Sequence, residues 1–258
     1  MFYIRSPDEN TRMTPGKPPA GLPPCRLGSK AAAPRLPLGV AALDSALGGG
    51  LAARRLHEIV PDGVFHLGAA AGFALALAGR VTRRGAIVWI QQGLAALEGG
   101  APYGPGLEPF GVAPSRLLIL SAARAKDALW AMEESLRCRG VAAVIGELAE
   151  AGEAAGLTET RRLNLAAEED GALPLLLRQK PLAGASACAT RWIVRGAPGT
   201  GDGFGGIGRI AWALALEKNR DGPCGAWRME WDHDTRNFRA PLPVAVAAPP
   251  VHRPYRAA

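Results

Sequence analysis

Four short apolar runs recur along the middle of this 258-residue chain: Ala-Ile-Val-Trp-Ile at 86–90, Leu-Leu-Ile-Leu at 117–120, Val-Ala-Ala-Val-Ile at 141–145 and Pro-Leu-Leu-Leu at 174–177. None alternates with polar residues, so each reads as a strand buried on both faces, as in the centre of a parallel sheet. Helical patterns separate them. Residues 125–137 place Leu129, Met132 and Leu136 on one face. Residues 158–170 turn Leu163 and Ala166 inward and Arg161, Arg162, Glu168 and Glu169 outward. Alternating strands and helices predict an α/β domain, a mostly parallel twisted sheet flanked by helices and joined by right-handed crossovers.

The last third changes character. Residues 191–195, 211–217 and 226–232 are strand-like, and the turn-rich 219–225 between the last two predicts an antiparallel hairpin at the sheet edge. Residues 1–36 hold seven prolines and no periodicity, which predicts a disordered leader and leaves Met13 as an alternative start. Residues 237–258 read as an extended, Pro-rich tail. The domain is therefore expected to span 37–236.

Net charge is +7, but its placement matters more than its sum. The leader carries six basic and two acidic side chains, the tail three basic and none acidic, and the stretch between them is balanced. The basic ends thus offer only weak or indirect contact with DNA. No apolar run is long enough for a membrane span, and no signal peptide is visible. The four cysteines form no C-x-x-C pair, which excludes a zinc ribbon and suits a reducing, cytoplasmic setting.

Between the strand-like residues 55–60 and the helical 71–78 lies Gly63-Val-Phe-His-Leu-Gly68-Ala69-Ala70. This is the spacing of a phosphate-binding loop, G-x-x-x-x-G-K-[ST], without its chemistry. Alanines stand where a lysine would reach the phosphates and a hydroxyl would hold Mg²⁺. In a chain with 33 glycines the spacing alone says little, and its position between strand and helix gives it weight.

The order of these elements resembles the RecA-like ATPase core, and within it the ImuA-like inducible-mutagenesis accessory proteins. The resemblance covers roughly residues 37–236. It rests on Leu36 to Leu47 with its Gly48-Gly-Gly turn, on 56–60, on Leu129-Trp-Ala-Met-Glu-Glu-Ser-Leu-Arg137 followed by Val141 to Glu147, and on Trp212 to Arg220 with Trp227 to His233. Carried over residue by residue, the resemblance implies a series of losses. Gly63 and Gly68 keep the loop spacing, while Ala69 and Ala70 vacate it. Gln91-Gln92-Gly93 replaces the catalytic carboxylate, and Gly146 stands where the Walker B acid belongs. Glu147, one position later, is expected on the opposite face of its strand, away from a metal site. Lys218 and Arg220 match a pattern that reaches nucleotide on a neighbouring RecA subunit, and they are the residual anion contacts. No catalytic residue, cofactor or metal is expected.

The resemblance therefore implies a non-catalytic adaptor of an SOS-induced translesion synthesis complex. Its partners would be an ImuB-like protein, an error-prone C-family polymerase and, further, RecA. The alternative is a DNA-binding or RecA-filament-modulating protein working through the basic ends. A third is an NTPase with an unusual loop.

Other features read as structural. His57 and Glu58 are expected as a hydrogen-bonded pair. Asp232, His233 and Asp234 read as a hairpin end rather than a metal cluster. Cys138, between Arg137 and Arg139, is a weak thiol candidate. Trp130, Trp192, Trp212, Trp227 and Trp231 are expected at core or edge positions. The Gly-rich 196–208 carries Asp202 and, beyond Arg195 and Arg209 at its margins, no basic residue, too few for counterion-release binding.

Overall fold

The computed structural model describes residues 34–81, 85–149, 155–179, 184–201 and 208–241. The strands are β1 Arg35–Leu36, β2 Leu51–Ala52, β3 His57–Pro61, β4 Ala86–Gln92, β5 Leu117–Ala122, β6 Val141–Leu148, β7 Leu173–Arg178, β8 Thr190–Ala197, β9 Ala211–Asn219, β10 Gly225–Asp232 and β11 Asn237–Arg239. The α-helices are α1 Ala41–Ala46, α2 Leu67–Gly79, α3 Gly93–Gly99, α4 Ala125–Leu136 and α5 Leu157–Asp170.

A nine-stranded sheet in the order β11-β10-β9-β8-β3-β7-β6-β4-β5 organises them. From β8 to β5 every neighbouring pair is parallel. From β8 to β11 the strands form an antiparallel meander. The apolar runs occupy the parallel half, and β6 and β7 are buried along their whole length as expected. The run at 117–120 is not, because β5 is the edge strand of the sheet and leaves Leu118 and Ile119 exposed. The predicted hairpin is β9–β10.

Side-chain alternation assigns each helix to a face. On one face α2 packs on Ile59, Ala143, Ile145, Leu175 and Leu177. On the other, α4 and α5 pack on Val88, Ile90, Val144, Leu148 and Leu176. Helix α2 is apolar all round, as suits a helix whose residues 73–78 are all buried. Its Phe73 meets Trp192 at 5.7 Å and Trp212 at 5.8 Å between ring centroids, both edge-on.

Two expected boundaries shift. Arg35 and Leu36, assigned to the leader, pair with Ala52 and Leu51. That pairing brings the backbones so close that a β-carbon on Gly50 would stand 2.5 Å from the Leu36 carbonyl oxygen, and Gly50 also has φ +126°. At the other end Asn237–Arg239, assigned to the tail, forms the edge strand β11. Its Phe238 is buried and packs on Trp231 at 4.9 Å and on Trp212 at 5.7 Å. Among the described residues, no helix is long and apolar enough to cross a membrane.

Candidate functional site

In an open parallel sheet, ligands bind beyond the carboxyl ends of the strands. Here that rim is formed by the ends of β3, β7, β6 and β4. After β3, the Asp62 N–H donates to the Val194 carbonyl at 2.9 Å, and its carboxylate accepts from Arg195 Nε at 2.8 Å. Gly63, at φ +91°, then turns the chain into a 3-10 helix over Val64–His66, closed by His66 N–H to Gly63 O at 3.1 Å. Helix α2 begins at Leu67, four residues earlier than the sequence pattern suggests. Gly68, Ala69 and Ala70 therefore lie in its first turn.

The protein's own groups bond to this turn, and beside it lies an open cavity of about 460 Å³ lined by Gly68, Ala69, Gly72, Gly196 and Trp212. Trp212 Nε1 donates to the Ala69 carbonyl at 2.8 Å, and the Gly196 N–H donates to His66 Nδ1 at 3.3 Å. Ala70 is fully buried. The two side chains that the turn leaves outside are apolar, with Val64 68% and Phe65 97% exposed. A working phosphate loop wraps its backbone N–H groups around an anion; this one is folded on itself.

The acid at the end of β6 corrects the sequence expectation. Ala143 and Ile145 share the α2 face, so Glu147, two residues on, shares it too. Gly146 faces the other way, towards Met132 of α4. Glu147 is thus the residue on the face of the vacated loop, not the one turned from it. Its Oε2 accepts from Trp89 Nε1 at 3.0 Å and Gln91 Nε2 at 2.9 Å. Burial raises the carboxyl above its ordinary value, and these neutral donors offset only part of that. Gln92 Oε1 accepts from the Ala149 N–H at 3.2 Å, so both glutamines of β4 serve internal bonds.

Lys218 and Arg220 lie elsewhere. Strand β9 runs antiparallel to β8, which puts its last residues at the opposite edge of the sheet from the Gly63 turn. Lys218 Nζ donates to the Ser186 carbonyl at 2.5 Å, and Arg220 is exposed. One chain does not bring these two together with Ala69 and Ala70.

His57 and Glu58 are not a pair. As neighbours on a strand they point to opposite faces. His57 Nε2 donates to the Ala52 carbonyl at 2.9 Å, so Nδ1 accepts from the Thr190 hydroxyl at 2.7 Å, which in turn accepts from Trp192 Nε1 at 2.8 Å. Full burial lowers the imidazole pKa to about 4. Glu58 meets Arg178 at 3.2 Å and Arg191 at 2.9 Å, and accepts from the Cys188 thiol at 3.2 Å. Burial alone would raise this carboxyl; the two guanidiniums and the thiol outweigh it and hold it below the ordinary glutamate value. The sequence hides this ion cluster because Glu58 lies more than a hundred residues from its three partners.

The remaining candidates resolve simply. Strand β10 ends at Asp232, whose Oδ1 accepts from the N–H groups of Asp234 and Thr235, both at 3.1 Å; this is a hairpin turn. Among the described residues, no group of three His, Cys, Asp or Glu could hold a metal. Cys138 is exposed, and Cys188 is buried. Trp192, Trp212 and Trp231 are fully buried, whereas Trp130 is 62% exposed, contrary to expectation. Asp202 lies outside the described residues. Of the basic residues beside it, Arg195 is paired with Asp62 and Arg209 with Asp232 at 3.0 Å.

No family model matches the chain. It is, however, 32% identical over 231 residues to Protein ImuA of Caulobacter vibrioides strain NA1000 / CB15N, an alignment covering 82% of this chain and 91% of the relative. The same figures hold for Protein ImuA of Caulobacter vibrioides strain ATCC 19089 / CIP 103742 / CB 15. At that identity and coverage, the chain belongs to the ImuA family.

Proposed function

We propose that this chain is a non-catalytic, RecA-like adaptor of a DNA damage-induced mutagenesis complex. Its partners are an ImuB-like protein and an error-prone polymerase of the C family, and the polymerase performs the synthesis. The observation that carries this reading is the pair of alanines, Ala69 and Ala70, in the first turn of α2 beyond β3. A nucleoside triphosphate needs cations and oxygen ligands around its phosphates. At this rim the positions for both are Ala69 and Ala70, Arg195 is engaged by Asp62, and Glu147 adds a buried carboxyl of the wrong sign. A fold whose crevice lacks these groups has its surfaces left to work with. Membership of the ImuA family supplies the setting.

Affinity co-purification of the full chain with the ImuB-like protein encoded in the same genome tests the proposal. Recovery of the partner, and no binding of a fluorescent ATP analogue, are expected. Failure to recover it, where a control pair binds, overturns the reading. Salt-sensitive binding to single-stranded DNA in that case favours the filament-modulating alternative. Nucleotide turnover abolished by changing Lys218 or Glu147 would instead make the chain an NTPase.

A further inference from the structure

The seam between α4 and α5 is unfinished. Leu129 and Leu163 close its floor, and both are buried. Above them an open cavity of about 440 Å³ remains, lined also by Lys126, Trp130, Glu133 and Arg162. Trp130 stands on its rim with more than half of its surface in water. An indole left in solvent forgoes a burial worth about 2–3 kcal/mol, and exposed apolar groups gathered beside a cavity mark contact surfaces.

The charges along the groove differ at its two ends. Glu133 is held by Arg162 at 2.5 Å and by Arg137 at 2.6 Å, so that end is electrically closed. Lys126 and Glu159 line the same cavity, and neither forms an ion pair among the described residues. The Glu133–Arg162 contact also sets the register of the two helices. Three residues back along each, Trp130 lies level with Glu159, and Lys126 stands roughly one turn, about 6 Å, beyond Trp130. Asp127 also lines the groove and is paired with Arg124 at 2.9 Å, so the groove presents a protruding ring, a hollow, and one unpaired charge of each sign on opposite walls.

That arrangement is self-complementary. A two-fold axis lying in the plane of the contact and crossing the line from Lys126 to Glu159 at right angles through its midpoint sets Lys126 of one copy over Glu159 of the other and brings each indole over the other's hollow. We propose that this groove is the contact surface between two copies of the chain, with Lys126–Glu159 pairs formed across the interface and Trp130 as its apolar anchor. A partner with a single charge sign would satisfy only one wall; a second copy satisfies both. The patch is small, so the association is of the weak, reversible class.

Sedimentation of the full chain over a concentration series tests this. A reversible dimer is expected, with Trp130→Ala weakening it at least tenfold, which is about 1.4 kcal/mol. Lys126→Glu and Glu159→Lys should each weaken it by about as much, since each sets like charges face to face twice over. The double reversal should restore the dimer. Unchanged melting temperatures for these exposed-site variants would tie the losses to association rather than folding. A chain monomeric at about 100 μM, a dimer indifferent to Trp130→Ala, or single reversals that the double variant does not rescue would each overturn the proposal.

Discussion

Gly146 and Met132 exclude one another. A β-carbon on Gly146 would lie within 2.8 Å of Met132 Cγ and Cε, and closer still to Sδ. The glycine leaves room for the Met132 side chain where α4 packs against β6, and any side chain there must push that thioether aside. Gly146→Ala should destabilise the fold by about 1–3 kcal/mol through overpacking. Gly146→Asp should cost more, because a carboxylate would enter an apolar face. Denaturant melts of both variants check this, and neither should gain nucleotide binding.

Placing a lysine and a threonine at the last two positions of the loop should not create a nucleotide site. In Ala69→Lys with Ala70→Thr, the chain ahead of them still folds into the Val64–His66 turn, and Trp212 still holds the Ala69 carbonyl. Ala70 is also fully buried, so the threonine hydroxyl would be enclosed rather than presented to a metal. Titration with a fluorescent ATP analogue should show no binding. Micromolar binding would mean that the turn opens readily.

His57 should make the protein acid-sensitive in a defined window. Its pKa is about 4 in the fold and 6.5 in a free side chain, so below pH 6.5 the unfolded chain takes up a proton that the native chain refuses. Stability from this group is complete above pH 6.5 and is lost as pH falls towards 4, by about 3 kcal/mol in all. Glu147 works in the opposite sense. Its raised pKa favours the fold at low pH and costs stability as pH rises through the folded value. Comparing His57→Asn and Glu147→Gln with the parent across pH 4–8 separates them: the first should flatten the acid-side loss, and the second should gain on the parent as pH rises.

Glu58 should be far less dispensable than an exposed acid. Glu58→Gln leaves Arg178 and Arg191 facing each other without the carboxylate between them, and Arg178 is nearly inaccessible to water. Breaking a buried ion pair from one side costs about 3–5 kcal/mol. A melting temperature within a degree or two of the parent would show that the cluster is better hydrated than its burial indicates.

Much of this architecture was legible in the chain because parallel strands buried on both faces leave uninterrupted apolar runs. What escaped had no such signature. Strand β11 offers one apolar residue, Phe238, between Asn237 and Arg239, and only its rings' contacts with Trp231 and Trp212 make it part of the sheet. The face of Glu147 depended on counting from Ile145 rather than from the presumed position of the acid, and a one-residue choice inverts that answer. Trp130 follows Leu129 on an amphipathic helix, where periodicity alone cannot separate the last buried position from the first exposed one. The alanines of the Gly63–Ala70 loop were legible; the bonds that Trp212 and Gly196 make to Ala69 and His66 were not, because both donors lie more than a hundred residues away.

Strand β3 has a consequence for how the molecule is made. It comes early in the chain, yet His57 pairs with Leu175 on one side and Thr190 on the other, and α2 leans on Trp212 and Phe238. During synthesis the ribosome therefore releases the middle of the sheet long before either flank exists. The first half of the nascent chain holds an apolar strand and an all-apolar helix with nothing to cover them. Folding must wait for nearly the whole domain, and contacts so distant in sequence close slowly. Truncated or stalled products should accordingly be bound by chaperones or degraded, which makes the supply of this protein depend on translation reaching Phe238.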